Sequence, residues 1–173
     1  LVARVGGCNK RICAYWGEVE EAAMEAVENG SASVGHGIKF HLKKGILFCR
    51  LPSGRELAYY KPELRPGKFG NTALCYQGMD QTTKQWRRVD TFGGKLVENI
   101  VQAVSRDLLA EAMLRLDKAK YSIVGHVHDE IIIDQRKDSG SLEDVIKIMT
   151  TAPSWAKGLP LAADGFESEY YKK

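Results

Sequence analysis

The sequence predicts an α+β fold, and three features carry that expectation. A helix-period apolar stripe lies near the N-terminus. Short β-like runs broken by Gly and Pro follow, from about Gly35 to Trp86. A long uninterrupted stripe then follows Gly93-Gly94, before two β-branched runs meet at a turn. In the first helix Asn9 is the expected cap, and Ile12, Tyr15, Trp16, Val19, Ala23, Ala26 and Val27 recur at three- and four-residue spacings. Asn29-Gly30 supplies its stop, and its outer face is acidic. In the β-like stretch the runs Gly45 to Leu51, Glu56 to Tyr60 and Ala73 to Gly78 are separated by Pro52-Ser53-Gly54, Pro62 and Pro66-Gly67, which predicts hairpins.

No Gly or Pro interrupts the chain between Gly94 and Gly125. There Leu96, Ile100, Val101, Val104, Leu108, Leu109, Ala112, Met113 and Leu116 make the apolar stripe of a long buried helix. Lys95, Asn99, Gln102 and Arg106 share its polar face, which can hydrogen-bond a ligand and equally fits the polar side of any long helix. Ser141 to Thr151 predicts a further helix with Leu142, Val145, Ile146 and Met149 inward. The expected architecture is one antiparallel sheet carrying the turn where the two β-branched runs meet, at His128-Asp129-Glu130, with the long helix on one face. Nothing divides the chain into separate domains, so residues 1–173 read as one unit: a leading helix in 1–34, hairpins in 35–90 and a core in 91–173.

Composition narrows the function classes. With 44% hydrophobic and 27% charged residues over 173 positions, the chain can bury a core and is not disordered. It shows no membrane-length apolar run and no signal-peptide succession, so it reads as cytoplasmic, with no membrane partner. Cys8, Cys13, Cys49 and Cys75 have neither zinc-ligand nor disulfide-framework spacing, which predicts reduced and mostly buried thiols. The chain opens on Leu1 and reads as part of something larger. Its charge is uneven: residues 1–95 hold 15 Lys or Arg against 9 Asp or Glu, so +6, and residues 96–173 hold 10 against 13, so −3. The basic excess lies between Lys39 and Arg88, interleaved with Phe40, Phe48, Tyr59, Tyr60, Phe69, Tyr76 and Trp86. Such a stretch suits a phosphate backbone, and it also suits a solvated sheet face.

The chemistry concentrates after the long helix. Ser122 to Val127 and Ile131 to Ile133 read as strands meeting at His128-Asp129-Glu130, which sets two carboxylates at the tip of a hairpin. Two anions on one rigid turn repel each other until a cation arrives. Hard oxygen donors favour Mg²⁺ or Mn²⁺ over zinc, and Mg²⁺ keeps waters and shares substrate phosphates. On residue type alone, the same pair also fits an ordinary solvated turn.

At these residues the chain resembles the family A DNA polymerases, the DNA polymerase I class, phage and prophage members above all. His126-Val-His-Asp-Glu-Ile131 is similar to their motif C. Gly93 to Met113 resembles the palm helix that precedes it, Leu51-Pro-Ser-Gly-Arg55 the hairpin after the fingers, and Trp155 to Gly165 the closing palm segment. The resemblance spans essentially the whole chain. It implies a C-terminal, palm-containing portion of a polymerase, with an antiparallel palm sheet and motif C hairpin packed against long helices.

The resemblance also implies roles. Asp129 is the motif C aspartate that binds the catalytic metals and Glu130 the auxiliary carboxylate. His128 lies near the primer terminus, and His126 occupies a position that can face DNA. Gln102 reads the minor groove of the nascent duplex, where every base pair offers an acceptor, with Asn99, Lys95 and Arg106 on the same helix face. The implied partners are primer-template DNA and a deoxynucleoside triphosphate, and the implied cofactor is Mg²⁺ or Mn²⁺ in the parent enzyme. The implied reaction is a two-metal phosphoryl transfer. Motif A and the fingers helix are absent from the sequence, so the isolated chain is expected to be inactive. The alternatives are a noncatalytic nucleic-acid-binding or structural module and, more remotely, a metal-dependent nuclease.

Overall fold

The computed structural model describes residues 9–67, 70–80 and 82–171; Cys8 and Phe69 lie outside them. Among the described residues the fold is α+β, with a six-stranded antiparallel sheet, a separate two-stranded sheet and three α-helices. The backbone divides into two compact units, Leu1–Gln102 and Ala103–Lys173. The hairpin carrying Asp129 therefore forms its own small sheet rather than joining the large one.

In the first unit, helix α1 (Lys10–Asn29) packs across the sheet β1 (Ser31–Ser33), β2 (Lys39–Lys43), β3 (Ile46–Arg50), β4 (Glu56–Pro66), β5 (Thr72–Met79) and β6 (Trp86–Thr91), whose spatial order follows the chain. Val19, Ala22, Ala23 and Ala26 of α1 meet Phe40, Leu47, Cys49 and Tyr59 in a buried core. The small residues let the helix approach the sheet closely. Ile12, expected in this stripe, is instead exposed, about two turns before Val19, where the helix reaches the core. Asn9 stands at the N-cap but makes no side-chain cap; its carbonyl accepts from the Ile12 and Cys13 N–H groups. The helix ends as expected at Gly30, whose φ of 93° suits glycine and whose N–H closes on the Ala26 carbonyl.

The turns explain the sheet's register. Lys44 and Gly45 both have positive φ, 52° and 73°, across the two-residue connection of β2 and β3, the combination that matches strand twist. Leu51-Pro52-Ser53-Gly54-Arg55 closes β3 onto β4, with the Leu51 N–H on the Arg55 carbonyl at 2.8 Å. Pro62 does not break the sheet as expected. Strand β4 runs through it by a bulge between Tyr60 and Glu63, with Lys61 at φ 47° and its N–H on the Gly45 carbonyl. Proline lacks a donor, and a bulge is where a ladder can do without one. Between β5 and β6, Asp80 organises the loop: Oδ1 accepts from the N–H groups of Thr82 (3.0 Å) and Thr83 (2.7 Å), and Oδ2 pairs with Arg87. The Thr83 N–H first, and then the Arg87 guanidinium, hold the Asp80 carboxyl far below the usual carboxylate range. Cys49 and Cys75 are free and buried, and burial pushes the Cys49 thiol up to about 12.

Helix α2 (Gly93–Lys118) begins in the first unit and ends in the second. Its start is tight: a Cβ on Gly93 would collide with the Trp16 carbonyl, and the Gly93 N–H donates to the Glu20 carboxylate at 3.0 Å. Leu96, Ile100, Ala103, Leu109, Ala112 and Leu116 are buried along it. Val101, expected in that stripe, is 57% exposed, because a residue one step from Ile100 is rotated about 100° around the helix. In the second unit α2 ends in a double cap. The Tyr121 N–H reaches the Leu116 carbonyl, and the Lys120 N–H the Asp117 carbonyl, with Lys120 at φ 70°. Strands β7 (Ile123–Val127) and β8 (Glu130–Ile133) follow, and then helix α3 (Leu142–Met149). Ser141 caps α3 by accepting from the Asp144 N–H at 3.1 Å, and Leu142, Val145, Ile146 and Met149 are half-buried.

Two helical glycines, Gly17 inside α1 and Gly93 at the first position of α2, should respond oppositely to alanine. Gly17 has nothing within 4 Å of an added Cβ, so Gly17→Ala should raise stability by about 0.5–1 kcal/mol in urea unfolding. Gly93→Ala should lower it by roughly 1–3 kcal/mol, because the added carbon meets backbone. Equal shifts in the two variants would remove the close approach from the account.

The Asp80 loop gives a pH signature. A carboxyl lowered by folding adds stability that is full above its unfolded pKa and is lost as pH falls through the folded one. The melting-temperature gap between wild type and Asp80→Asn should therefore be constant from pH 7 to about 5 and shrink below about pH 4. A gap that does not change down to acid pH would contradict this.

Candidate functional site

The chemistry-bearing residues fall in two places: the β7–β8 hairpin and the polar face of α2. The hairpin is closed by two turn residues, His128 and Asp129, because Val127 pairs directly with Glu130. Glu130 thus begins β8, whereas the sequence reading set it in the turn. His128 has φ 51° and the following Asp129 is not in the left-handed region, a turn position that glycine usually takes. A side chain held there costs on the order of 1 kcal/mol. The tip is therefore a local conformation held against a backbone preference.

His128, Asp129 and Glu130 are all exposed, and no hydrogen bond or ion pair engages their side chains among the described residues. Two open carboxylates on adjacent residues are a hard-oxygen donor set with room for further ligands. Among the described residues no group of three or more His, Cys, Asp or Glu side chains converges to hold a metal ion. Asp129 and Glu130 are thus two exposed carboxylates without a third such side chain beside them among the described residues. A bulge at Val124 precedes the tip: Ile123 pairs with Ile133 but Gly125 with Ile132, leaving Val124 62% exposed. Bulges re-aim the side chains beyond them, here His126. His126 Nε2 lies 3.4 Å from an Arg106 guanidinium nitrogen, and since guanidinium only donates, Nε2 is the acceptor.

On α2 the polar residues have partners within the first unit. Lys95 Nζ lies 2.9 Å from Glu98 Oε2, and the Gln102 amide donates to Glu98 Oε1 at 3.3 Å. Both contacts are exposed, and such pairs stabilise little, about 0–1 kcal/mol, so they yield readily to another ligand. Asn99 is half-buried and donates to the Tyr59 hydroxyl at 3.3 Å. Burial pushes the Tyr59 hydroxyl up to about 12, which keeps it protonated beside Asn99. The Glu98 to Gln102 contact is the ordinary surface pairing that the sequence offers on this face, whereas Tyr59, forty residues from Asn99 in sequence, left no local signal. At the other end of the chain, the segment from Trp155 is tied down within the second unit by its indole N–H on Glu111 at 3.4 Å.

No helix among the described residues is long and apolar enough to cross a membrane. No family model matches the chain, and no solved structure matches it. The chain is 52% identical over 167 residues to a DNA polymerase of Bacillus phage SP02. That alignment covers 95% of this chain and 26% of the phage protein, so the chain spans about a quarter of the length of the curated relative it matches. The likeness to a DNA polymerase drawn from the helix and hairpin motifs is borne out at that level: over nearly its whole length, the chain is a relative of a quarter-length segment of a phage DNA polymerase.

Proposed function

We propose that the chain is the palm-bearing part of a family A DNA polymerase, acting in template-directed nucleotidyl transfer on primer-template DNA and deoxynucleoside triphosphates. The observation that carries this reading is Asp129, exposed and unpaired among the described residues at a strained two-residue hairpin, in a chain similar to a phage DNA polymerase segment. The β7–β8 turn is read as motif C. In the reaction a primer 3′-hydroxyl attacks the α-phosphate and pyrophosphate leaves.

Asp129 and Glu130 fit Mg²⁺ or Mn²⁺ by their donor chemistry and their open coordination space. A pair of such ions, when bound, supplies positive charge for the attacking and leaving oxygens. Asp129 contributes the principal negative charge that holds metal, and Glu130 adds to it from the first position of β8. His128 fixes the turn that presents Asp129 and stands near the primer terminus, while His126, held by Arg106, faces the DNA. On α2, Gln102 and Lys95 exchange their weak contacts with Glu98 for contacts to the duplex, and Asn99, positioned by Tyr59, lies beside them. The second metal-binding aspartate and the triphosphate-binding helix come from elsewhere in the polymerase, so this chain holds only part of the catalytic apparatus.

Two outcomes test the proposal. Residues 1–173 alone should give no primer extension above background with Mg²⁺ or Mn²⁺, and extension by this chain would refute the reading that it holds part of the apparatus. In the complete polymerase, Asp129→Asn removes a charge at nearly constant size. It should lower turnover by roughly a hundredfold or more, the effect of losing several kcal/mol of charge stabilisation, while primer-template affinity changes little. Near-normal turnover in that variant would remove Asp129 from the site.

A further inference from the structure

We propose that the uncovered face of the six-stranded sheet binds single-stranded DNA, with Tyr60 and Trp86 as base-stacking platforms and Lys39, Lys43 and Arg50 as phosphate contacts. Residues directly opposite in an antiparallel ladder share a face, so the register sorts the aromatic and basic residues between Lys39 and Arg88 into two sets. Phe40 and Tyr59 point to the α1 side and are buried. On the other face, one row runs Lys43, Ile46, Tyr60, Gln77 and Arg88 across five strands. Phe48, beside His41, lies two residues back on β3, and Met79 and Trp86 lie two residues beyond on β5 and β6. Lys39, Arg50 and Glu56 complete the face at its far end.

This face is aromatic, basic and open. Trp86 is 60% exposed and Tyr60 42%, their ring centroids lie 6.3 Å apart, and the Lys61 ammonium sits 5.5 Å from the centre of the Tyr60 ring. His41 and Phe48 stack at 5.3 Å beside an open depression that Lys43, Lys44 and Glu56 also line. On this side stand three carboxylates: Glu56, paired with His41 at 3.6 Å, Glu63, paired with Arg65, and Asp90 at the β5–β6 end, away from Lys39, Lys43 and Arg50. Arg88 is drawn 3.4 Å from Glu63, whereas Lys39, Lys43 and Arg50 have no carboxylate partner among the described residues. From β2 to β6 the face is about 19 Å wide at the usual strand spacing of about 4.8 Å, enough for a few nucleotides.

Charge complementarity selects a polyanion as the occupant. Exposed rings select one with unpaired bases, because bases in a duplex present no free face for stacking. A purely apolar protein partner would leave three unpaired cations buried. The proposal rests on the sheet alone and not on Asp129, so the two readings fail separately.

The test uses the full 173-residue chain and an oligo(dT) of about 12 nucleotides, within the roughly 4–16-nucleotide footprint common for single-strand sites. Binding followed by anisotropy should weaken about tenfold or more in Trp86→Ala, at unchanged melting temperature. Lys43→Gln should reduce the dependence of log affinity on log salt by about 0.7, the single-strand value for one phosphate contact. Neither change should alter affinity for blunt duplex. Absence of oligo(dT) binding, an unchanged affinity in Trp86→Ala, or equal losses on duplex and single strand would overturn the proposal. Tighter binding of oligo(rU) would overturn its assignment to DNA. Should Trp86→Ala fold poorly, the Lys43→Gln salt slope decides alone.

Discussion

The backbone contact between Gly93 and Trp16 is the constraint on which the first unit is built. Helix α2 starts where no side chain fits, hard against the carbonyl of Trp16, with its first N–H held by the Glu20 carboxylate. Because α1 is itself fixed to the sheet by alanines that admit a short separation, this contact sets the position of the first turns of α2 over the same core. Asn99 then falls opposite Tyr59, and Ile100 falls inward. A larger residue at position 93 would move the start of the helix, and every polar residue on its exposed face would move with it. Packing at a glycine thereby fixes the presentation of Lys95, Asn99 and Gln102.

Charge is distributed by a different logic. Where a carboxylate serves the fold it is surrounded by donors: Asp80 takes backbone N–H groups and a guanidinium, and Glu20 takes a helix N-terminus. Asp144 likewise accepts from the Tyr121 hydroxyl at 2.8 Å. Asp129 and Glu130 receive nothing comparable among the described residues, though they stand on a turn whose first residue is held in a glycine-like conformation. Neighbouring anions without donors contribute no stability, and a positive φ at His128 subtracts some. Such groups suit a ligand better than they suit the fold, which is why the carboxylates at this tip are read differently from those at Asp80.

The helices were legible because a period of 3.6 persists over several turns and Gly marks the ends. The errors came at single positions: Ile12 lies about two turns before the first core residue, Val19, and Val101 one step around the helix from Ile100, differences that a stripe of apolar letters does not encode. The sheet was only partly legible. Strands β1, β2 and β6 were not separately identified; β1 has only three residues, and β6, Trp-Arg-Arg-Val-Asp-Thr, is exposed over most of its length and shows no alternation. Pro62 read as a break because the bulge that accommodates it depends on the Lys61 N–H finding the Gly45 carbonyl, a contact between different hairpins. The Asp129 hairpin was legible to within a residue from its β-branched runs. Its separation from the large sheet was not, since strand partnership is a long-range property.

A two-stranded hairpin is marginal in water by itself, so its support matters for what its tip can do. Here the support lies at the base. The Asp134 N–H meets the Ser122 carbonyl at 2.9 Å, the Ser122 N–H meets Gln135 Oε1 at 3.1 Å, and the buried Tyr121 joins the α2 cap to the Asp144 carboxylate of α3. Toward the tip, the connections beyond the ladder dwindle, among the described residues, to Arg106 on His126. This gradient holds the strands in register while leaving the Asp129 and Glu130 oxygens uncommitted. A cation arriving with its own waters and phosphate oxygens would therefore meet donors whose backbone is already placed and whose lone pairs are not spent on protein hydrogen bonds. The cost of placing the backbone of this tip falls at folding, whereas the exposed Asp129 and Glu130 side chains keep their rotamer freedom until a ligand fixes it.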